Sequence, residues 1–445
     1  MTATRSSEEA SAGGWKRFAK ILGPGLVTGA SDDDPSGIAT YAQAGATFRT
    51  GMLWTVPVAL PMMMAVQEIC DRTALATGDS LGRLARKKFA HRTRTVIGVL
   101  LVALLVANEV NLAADLMAVG QGMDLLGAGP APLWSLVAGV AIAVALVFGS
   151  FTMISKIFKW LCMALLAYVL VLFATHVDWL DVLRGMTFQQ TEFSLKYWGL
   201  IVAVLGTTIS PYLFFWQSAH RVEQLRDEDL KGKRAPAYKD RGDQQAKRKQ
   251  TDARVDVFTG MAFSVLVMFA IIVATSSTLG VKGLDIGTAA DAAKALEPVA
   301  GPLAKILFAL GFIGSGILAV PVLAASGSIG MAGLLDKKWG FERSPKKAPA
   351  FYLLLLGGTA AGTVLAAFLS NPMALLVLSA TINGIAAALF LIVVMPIFRG
   401  RKNHGPLPQR PARRQHRLDH RRRDDLCRGG GAVGHLRRIV AGPRV

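Results

Sequence analysis

The chain has 445 residues, of which 52% are hydrophobic and 18% charged, and it carries a formal net charge of +19. High apolarity and a large positive charge coexist only if they occupy different segments, as in a polytopic membrane protein with basic loops. That excludes a soluble enzyme, a disulfide scaffold and a nucleic-acid binder, and Cys70, Cys162 and Cys427 are too scattered for a thiolate metal site.

In chain order, residues 1–19 are polar and lack the apolar core of a cleavable signal peptide. Ten apolar segments follow, at about 20–48, 52–76, 95–125, 133–149, 157–175, 196–220, 255–279, 302–333, 348–369 and 372–398. Lys and Arg divide 43 to 6 between the two sides that these spans define. By the positive-inside rule both termini are expected to be cytoplasmic; the expected location is a bacterial inner membrane. The basic loop 221–254 then reads as a solvated cytoplasmic loop.

Two spans carry more than an isolated proline. The first reads Ser31-Asp32-Asp33-Asp34-Pro35-Ser36-Gly37 at its centre, and three carboxylates within a span are costly and mark a cavity or an ion path. The sixth reads Gly206-Thr207-Thr208-Ile209-Ser210-Pro211-Tyr212. The two breaks stand five spans apart, as in an inverted repeat with discontinuous helices at the midplane. Proline clashes with the carbonyl four residues earlier, so Pro35 is expected to free that of Ser31 and Pro211 that of Thr207. Two half-helix carboxyl ends meeting near Asp34 make an oxygen-rich, electronegative pocket suited to a hard cation.

These residues resemble the NRAMP family of divalent-metal transporters over roughly 20–398. The stretch from Gly23-Pro24-Gly25 to Ala44-Gly45-Ala46, with Asp34-Pro35 inside it, is similar to the family's first helix. Gln67–Gly78, Asp115, Gly206–Pro211 and Gly311–Gly316 follow the order of its other motifs. The resemblance implies an all-α polytopic membrane protein with a leucine-transporter-like fold. Its parts would be a first five-helix repeat (20–175), an extracytoplasmic loop (176–195), a second repeat (196–398) and a basic tail (399–445). It implies a secondary transporter moving divalent metal cations, inward, by alternating access. It implies no enzyme activity and no cofactor, the metal being substrate, with lipid and protons as the further partners.

The departures from the family pattern bear on the ion. Asp34 stands where the family's metal-binding Asp does, but Gly37 replaces its Asn. Ser210 replaces its metal-binding Met, Tyr212 a His tied to proton movement, and Ala118 an acidic residue. Glu109 is one residue off another acidic position, which Asn108 occupies. An all-oxygen site remains, made of Asp34, the Thr207 carbonyl, Ser210 and the Ser31 carbonyl with water, and it favours Mg²⁺ or Mn²⁺ over softer metals. Asp115, Tyr212 and Glu109 are the candidates for a proton path, and coupling is expected to be weak or absent. The alternative is an amino-acid or organic-cation carrier of the same fold.

Residues 401–445 hold 13 Lys and Arg against Asp419, Asp424 and Asp425, with no apolar span. Two readings stay open: a disordered basic tail on the anionic inner leaflet, and an out-of-frame translation that removes an eleventh helix.

Overall fold

The computed structural model describes residues 22–148, 169–170, 172–173, 177–228, 235–284, 286–294, 301, 304–369 and 371–398. The span expected at 157–175 lies almost wholly outside the described residues, and the tail from 399 onward lies outside them altogether. Among the described residues every regular element is a helix. This follows from long apolar runs that must satisfy their backbone polar groups internally.

The first span is two helices, α1 (Pro24–Asp32) and α2 (Pro35–Phe48), with the break at Asp33–Asp34. A 3₁₀ turn, Arg49–Met52, leads into α3 (Thr55–Thr77), which ends on the left-handed Gly78. The segments Pro35–Met52 and Thr55–Thr77 meet at 111°. Then come the short α4 (Leu81–Lys88), the long α5 (His91–Leu125), α6 (Ala131–Phe148) and α7 (Trp179–Met186). The sixth span is again double, α8 (Leu195–Thr208) and α9 (Pro211–Asp227). It is followed by α10 (Asp243–Thr278), α11 (Ala289–Lys294), α12 (Ala304–Leu334), α13 (Pro349–Phe368) and α14 (Pro372–Phe398).

Among the described residues seven segments are each long and apolar enough to cross a membrane. They are the expected third, fourth and sixth to tenth spans. The first is split into halves too short to qualify alone. The second loses apolarity at Gln67, Glu68, Asp71 and Arg72.

Glycine sets how closely the central helices approach. A Cβ on Gly29 of α1 would lie 2.1 Å from the Gly260 carbonyl of α10, and one on Gly206 of α8 would lie 2.1 Å from the Ala380 carbonyl of α14. Backbones this near admit only glycine, the small-residue packing that membrane helices use in place of a hydrophobic driving force. Thus α1 and α2 lie on α10, α8 lies on α14, and α5 lies on α12. The breaks of spans one and six are enclosed between these pairs.

Candidate metal-transport site

Asp-Pro is both a helix breaker and a helix start. Asp34 is the N-cap of α2, and its Oδ1 accepts from the Gly37 N–H at 2.8 Å and from Ser36 Oγ at 2.5 Å. Pro35 takes the first helical position, where its missing N–H costs nothing. Asp34 Oδ2 faces the other way and accepts from Asn111 Nδ2 of α5 at 3.1 Å and from Tyr212 Oη of α9 at 3.3 Å. A carboxylate offers about four lone-pair positions, and all four of Asp34's are met by donors.

Span six does not mirror this. Ser210 caps α9 by position, but its hydroxyl turns back and donates to the carbonyls of Gly206 at 2.8 Å and Thr207 at 2.9 Å. The Ser31 carbonyl accepts from Tyr212 Oη at 3.2 Å. Both carbonyls freed by proline lie within reach of a hydroxyl: that of Thr207 faces Ser210 across its own break, and that of Ser31 faces Tyr212 of the other span, whose single O–H it shares with Asp34. The two breaks do meet. A Cβ on Gly37 would lie 3.1 Å from Thr207 Oγ1, and Thr207 Oγ1 is itself buried with no hydrogen-bond partner among the described residues.

Asp32 and Asp33 are fully buried beside Asp34. The Ser264 hydroxyl of α10 serves both, at 2.9 Å to Asp32 Oδ2 and 3.2 Å to Asp33 Oδ1. Asp115 of α5 is buried with neither carboxylate oxygen hydrogen-bonded among the described residues. Its carbonyl would lie 3.0 Å from a Cβ on Gly316 of α12, which in turn would lie 3.6 Å from the Pro35 ring. None of these four carboxylates has an Arg or Lys within ion-pair distance among the described residues. Nor do three His, Cys, Asp or Glu side chains there gather into a metal cage.

Glu109 is not brought to this site. Its carboxylate lies against Gly358 of α13, where a Cβ would meet Oε1 at 2.2 Å. One residue earlier, Asn108 turns to α12 and donates to the Leu323 carbonyl at 3.1 Å. A single step along a helix rotates the side chain by about 100°, so neighbours in the sequence serve different partners.

Sequence reasoning missed Asn111, which lies one helical turn before Asp115 on the same face. It also missed Ser379 of α14, whose hydroxyl donates to Asn111 Oδ1 at 2.6 Å. Missed too was a charge network below the site. Asp256 of α10 accepts from the N–H groups of Gly23 at 2.7 Å, Gly25 at 2.9 Å and Leu26 at 3.2 Å, capping the amino end of α1. Arg221 of α9 bridges Asp256 at 2.9 Å and Asp71 of α3 at 2.6 Å. Gln217 donates to Asp71 at 3.0 Å and is hydrogen-bonded to Thr28 of α1. Arg221 is thus a buried tie, and not part of a solvated basic loop.

Helices broken at the same point in two spans, with buried carboxylates at the break, define a membrane transporter whose substrate is a cation. A family model described as natural resistance-associated macrophage protein-like (Nramp) matches residues 25–414. The chain is 24% identical over 352 residues to a divalent metal cation transporter MntH of Deinococcus radiodurans, covering 77% of this chain and 76% of that one. It is 25% identical over 362 residues to the MntH of Verminephrobacter eiseniae, again covering 77% and 76%. The fold matches a crystal structure of the Eremococcus coleocola manganese transporter with a TM-score of 0.66 at 16% identity, over 87% of this chain and 80% of that one. It also matches Mhp1, a nucleobase-cation-symport-1 family transporter, with a TM-score of 0.51 at 15% identity, over 86% and 83%. The chain belongs to the Nramp family of divalent metal ion transporters. It is a multi-pass integral membrane transporter with a leucine-transporter-like fold, not an enzyme, and metal is its substrate and not a cofactor.

Proposed function

We propose that the protein carries a hard divalent cation, Mg²⁺ or Mn²⁺, inward across a bacterial inner membrane by alternating access, with both termini cytoplasmic and weak or no proton coupling. One observation carries this reading. Asp32, Asp33, Asp34 and Asp115 are each buried, and none has a basic partner among the described residues. Uncompensated buried carboxylates are expensive, and a divalent cation supplies the missing charge.

The donors around Asp34 favour a strongly hydrated ion. With four donors already on its carboxylate, a cation reaches Asp34 through its own water or by displacing the Tyr212 hydroxyl, which has the Ser31 carbonyl as an alternative acceptor. Mg²⁺ dehydrates reluctantly and keeps several waters. Ser210 stands where a thioether would select a softer metal. In this reading Asp34 attracts the ion, the carbonyls of Ser31 and Thr207 and the Ser210 hydroxyl line its path, and Gly37, where a Cβ would lie 3.1 Å from Thr207 Oγ1, lets the two breaks come together. Pro35 and Pro211 hold the breaks open, and Asp115 with Tyr212 is the remaining route for a proton.

Proteoliposomes with wild type and Asp34→Ala, loaded to report Mg²⁺ and Mn²⁺ entry, test this. Saturable Mg²⁺ uptake lost in Asp34→Ala is the expected result. Strong Mn²⁺ uptake with none of Mg²⁺ overturns the hydrated-ion reading, and absence of both overturns metal transport.

A further inference from the structure

Away from the ion path, a cleft of about 600 Å³ opens between the amino end of α5 and the carboxyl end of α12. Arg86 from α4 and Arg94 from the first turn of α5 make its rim cationic, with His91 beside them. Its wall is apolar, with Val99, Val102 and Leu335 among the lining residues. Val99 and Val102 are 63% and 53% exposed along a span, so they face the acyl-chain region.

The two guanidinium groups are held differently. Arg86 Nη1 donates to the Leu334 carbonyl at 3.3 Å, and its Nε stands 3.9 Å from Asp336 Oδ2, a long contact. Asp336 has its shorter pairing with Arg83, at 3.2 Å, and Asp79 pairs with Arg83 and Lys87. The acidic groups nearby are thus engaged on α4. Arg94 makes no ion pair among the described residues, and its Nε is buried without a hydrogen-bond partner there. A buried donor at a cationic rim calls for an oxyanion, and the planar guanidinium fork suits phosphate.

We infer that this cleft binds an anionic phospholipid, with the phosphate on Arg94 and Arg86 and the first acyl methylenes along Val99 and Val102. Basic pockets between transmembrane helices at the membrane interface recognise lipid headgroups in this way, and the volume is that of a small-molecule site. Free phosphate would use the rim and leave the apolar wall bare, so the occupant is a lipid. The inference does not depend on which ion the transporter carries.

The test is native mass spectrometry of the purified full chain, counting retained phosphatidylglycerol against phosphatidylcholine, with inorganic phosphate as competitor. Wild type should retain phosphatidylglycerol selectively, and retention should fall about fivefold for each arginine removed in Arg94→Gln and in Arg86→Gln with Arg94→Gln. Arg92→Gln, an exposed position at the same helix end, should leave it unchanged. Equal retention in wild type and the double variant overturns the site, as does an equal loss in Arg92→Gln. Full displacement by millimolar phosphate would assign the rim to a free anion and overturn the lipid. Val102→Trp keeps every charge but fills the cleft, so it should also expel the lipid. Unchanged retention in that variant overturns the proposal even if the arginine variants fail to fold.

Discussion

Asn111 Nδ2 donates to Asp34 Oδ2 at 3.1 Å, and through Ser379 this contact joins α5 and α14 to the break in span one. Asn111→Leu would leave one position of a buried carboxylate unpartnered, at a cost of about 1–3 kcal/mol. The expected outcome is a lower thermal midpoint that saturating Mg²⁺ largely restores, since the ion takes the vacated position. Thermal unfolding with and without Mg²⁺ checks it. Asp34→Asn should show no response to Mg²⁺.

In the proposed site the softness rests on the side chain at position 210. Ser210→Met, alone and with Gly37→Asn, adds a thioether and an amide ligand beside Thr207. Competition of Cd²⁺ against Mg²⁺ in uptake should rise about tenfold or more, because sulfur prefers the softer ion. Unchanged competition would mean that position 210 does not face the ion.

The Asp256 carboxylate closes the lower end of α1. Asp256→Asn removes the charge from a cap over three N–H groups and from the Arg221 bridge. Breaking one partner of a buried pair typically costs about 3–5 kcal/mol. The variant should shift toward a form with the amino end of α1 released. Thiol labelling of a Leu26→Cys probe from the basic-loop side reports this as faster reaction in the Asp256→Asn background.

Close crossing of α1 and α10 should tolerate no methyl. Gly29→Ala would place Cβ 2.1 Å from the Gly260 carbonyl and Gly260→Ala would place one 2.0 Å from that of Gly25. Either should destabilise by about 1–3 kcal/mol or more, read as a lower midpoint in detergent. Gly199→Ala, which meets open space, should be near neutral.

Outside the spans, burial pushes the Glu228 carboxyl up, but hydrogen bonds and charge from Lys249 and Arg241 outweigh it and hold it below the usual glutamate range. Its stabilising effect is complete above the ordinary glutamate value of about 4.3 and is lost as pH falls through the lower folded value. Glu228→Gln should therefore cost about 0.5–1 kcal/mol near neutrality. The difference from wild type should shrink as pH falls below that ordinary value, read in thermal melts across acid pH.

How much of this was legible differs by element. Seven of the ten spans and both breaks were, because apolar length and Asp-Pro or Ser-Pro act locally. Asp34 as the N-cap of α2 follows from the same dipeptide. The different use of Ser210 was not, since Asp34 caps forward while Ser210 caps backward, and only the packing around each break decides between them. Glu109 was a candidate for the proton path although one residue off the family's acidic position, and the helix turns it and Asn108 toward different neighbours.

The sequence by itself determined that this chain crosses the membrane many times and carries carboxylates at a broken span. Charge, apolarity and proline act over a few residues, so no tertiary information is needed to read them. Only the tertiary structure decided what those carboxylates face. Asn111, Ser264 and Tyr212 come from distant segments, and Arg221 leaves its apparent loop to bind Asp71 and Asp256. These pairings depend on glycines that let backbones approach closely, a distance that no local pattern encodes.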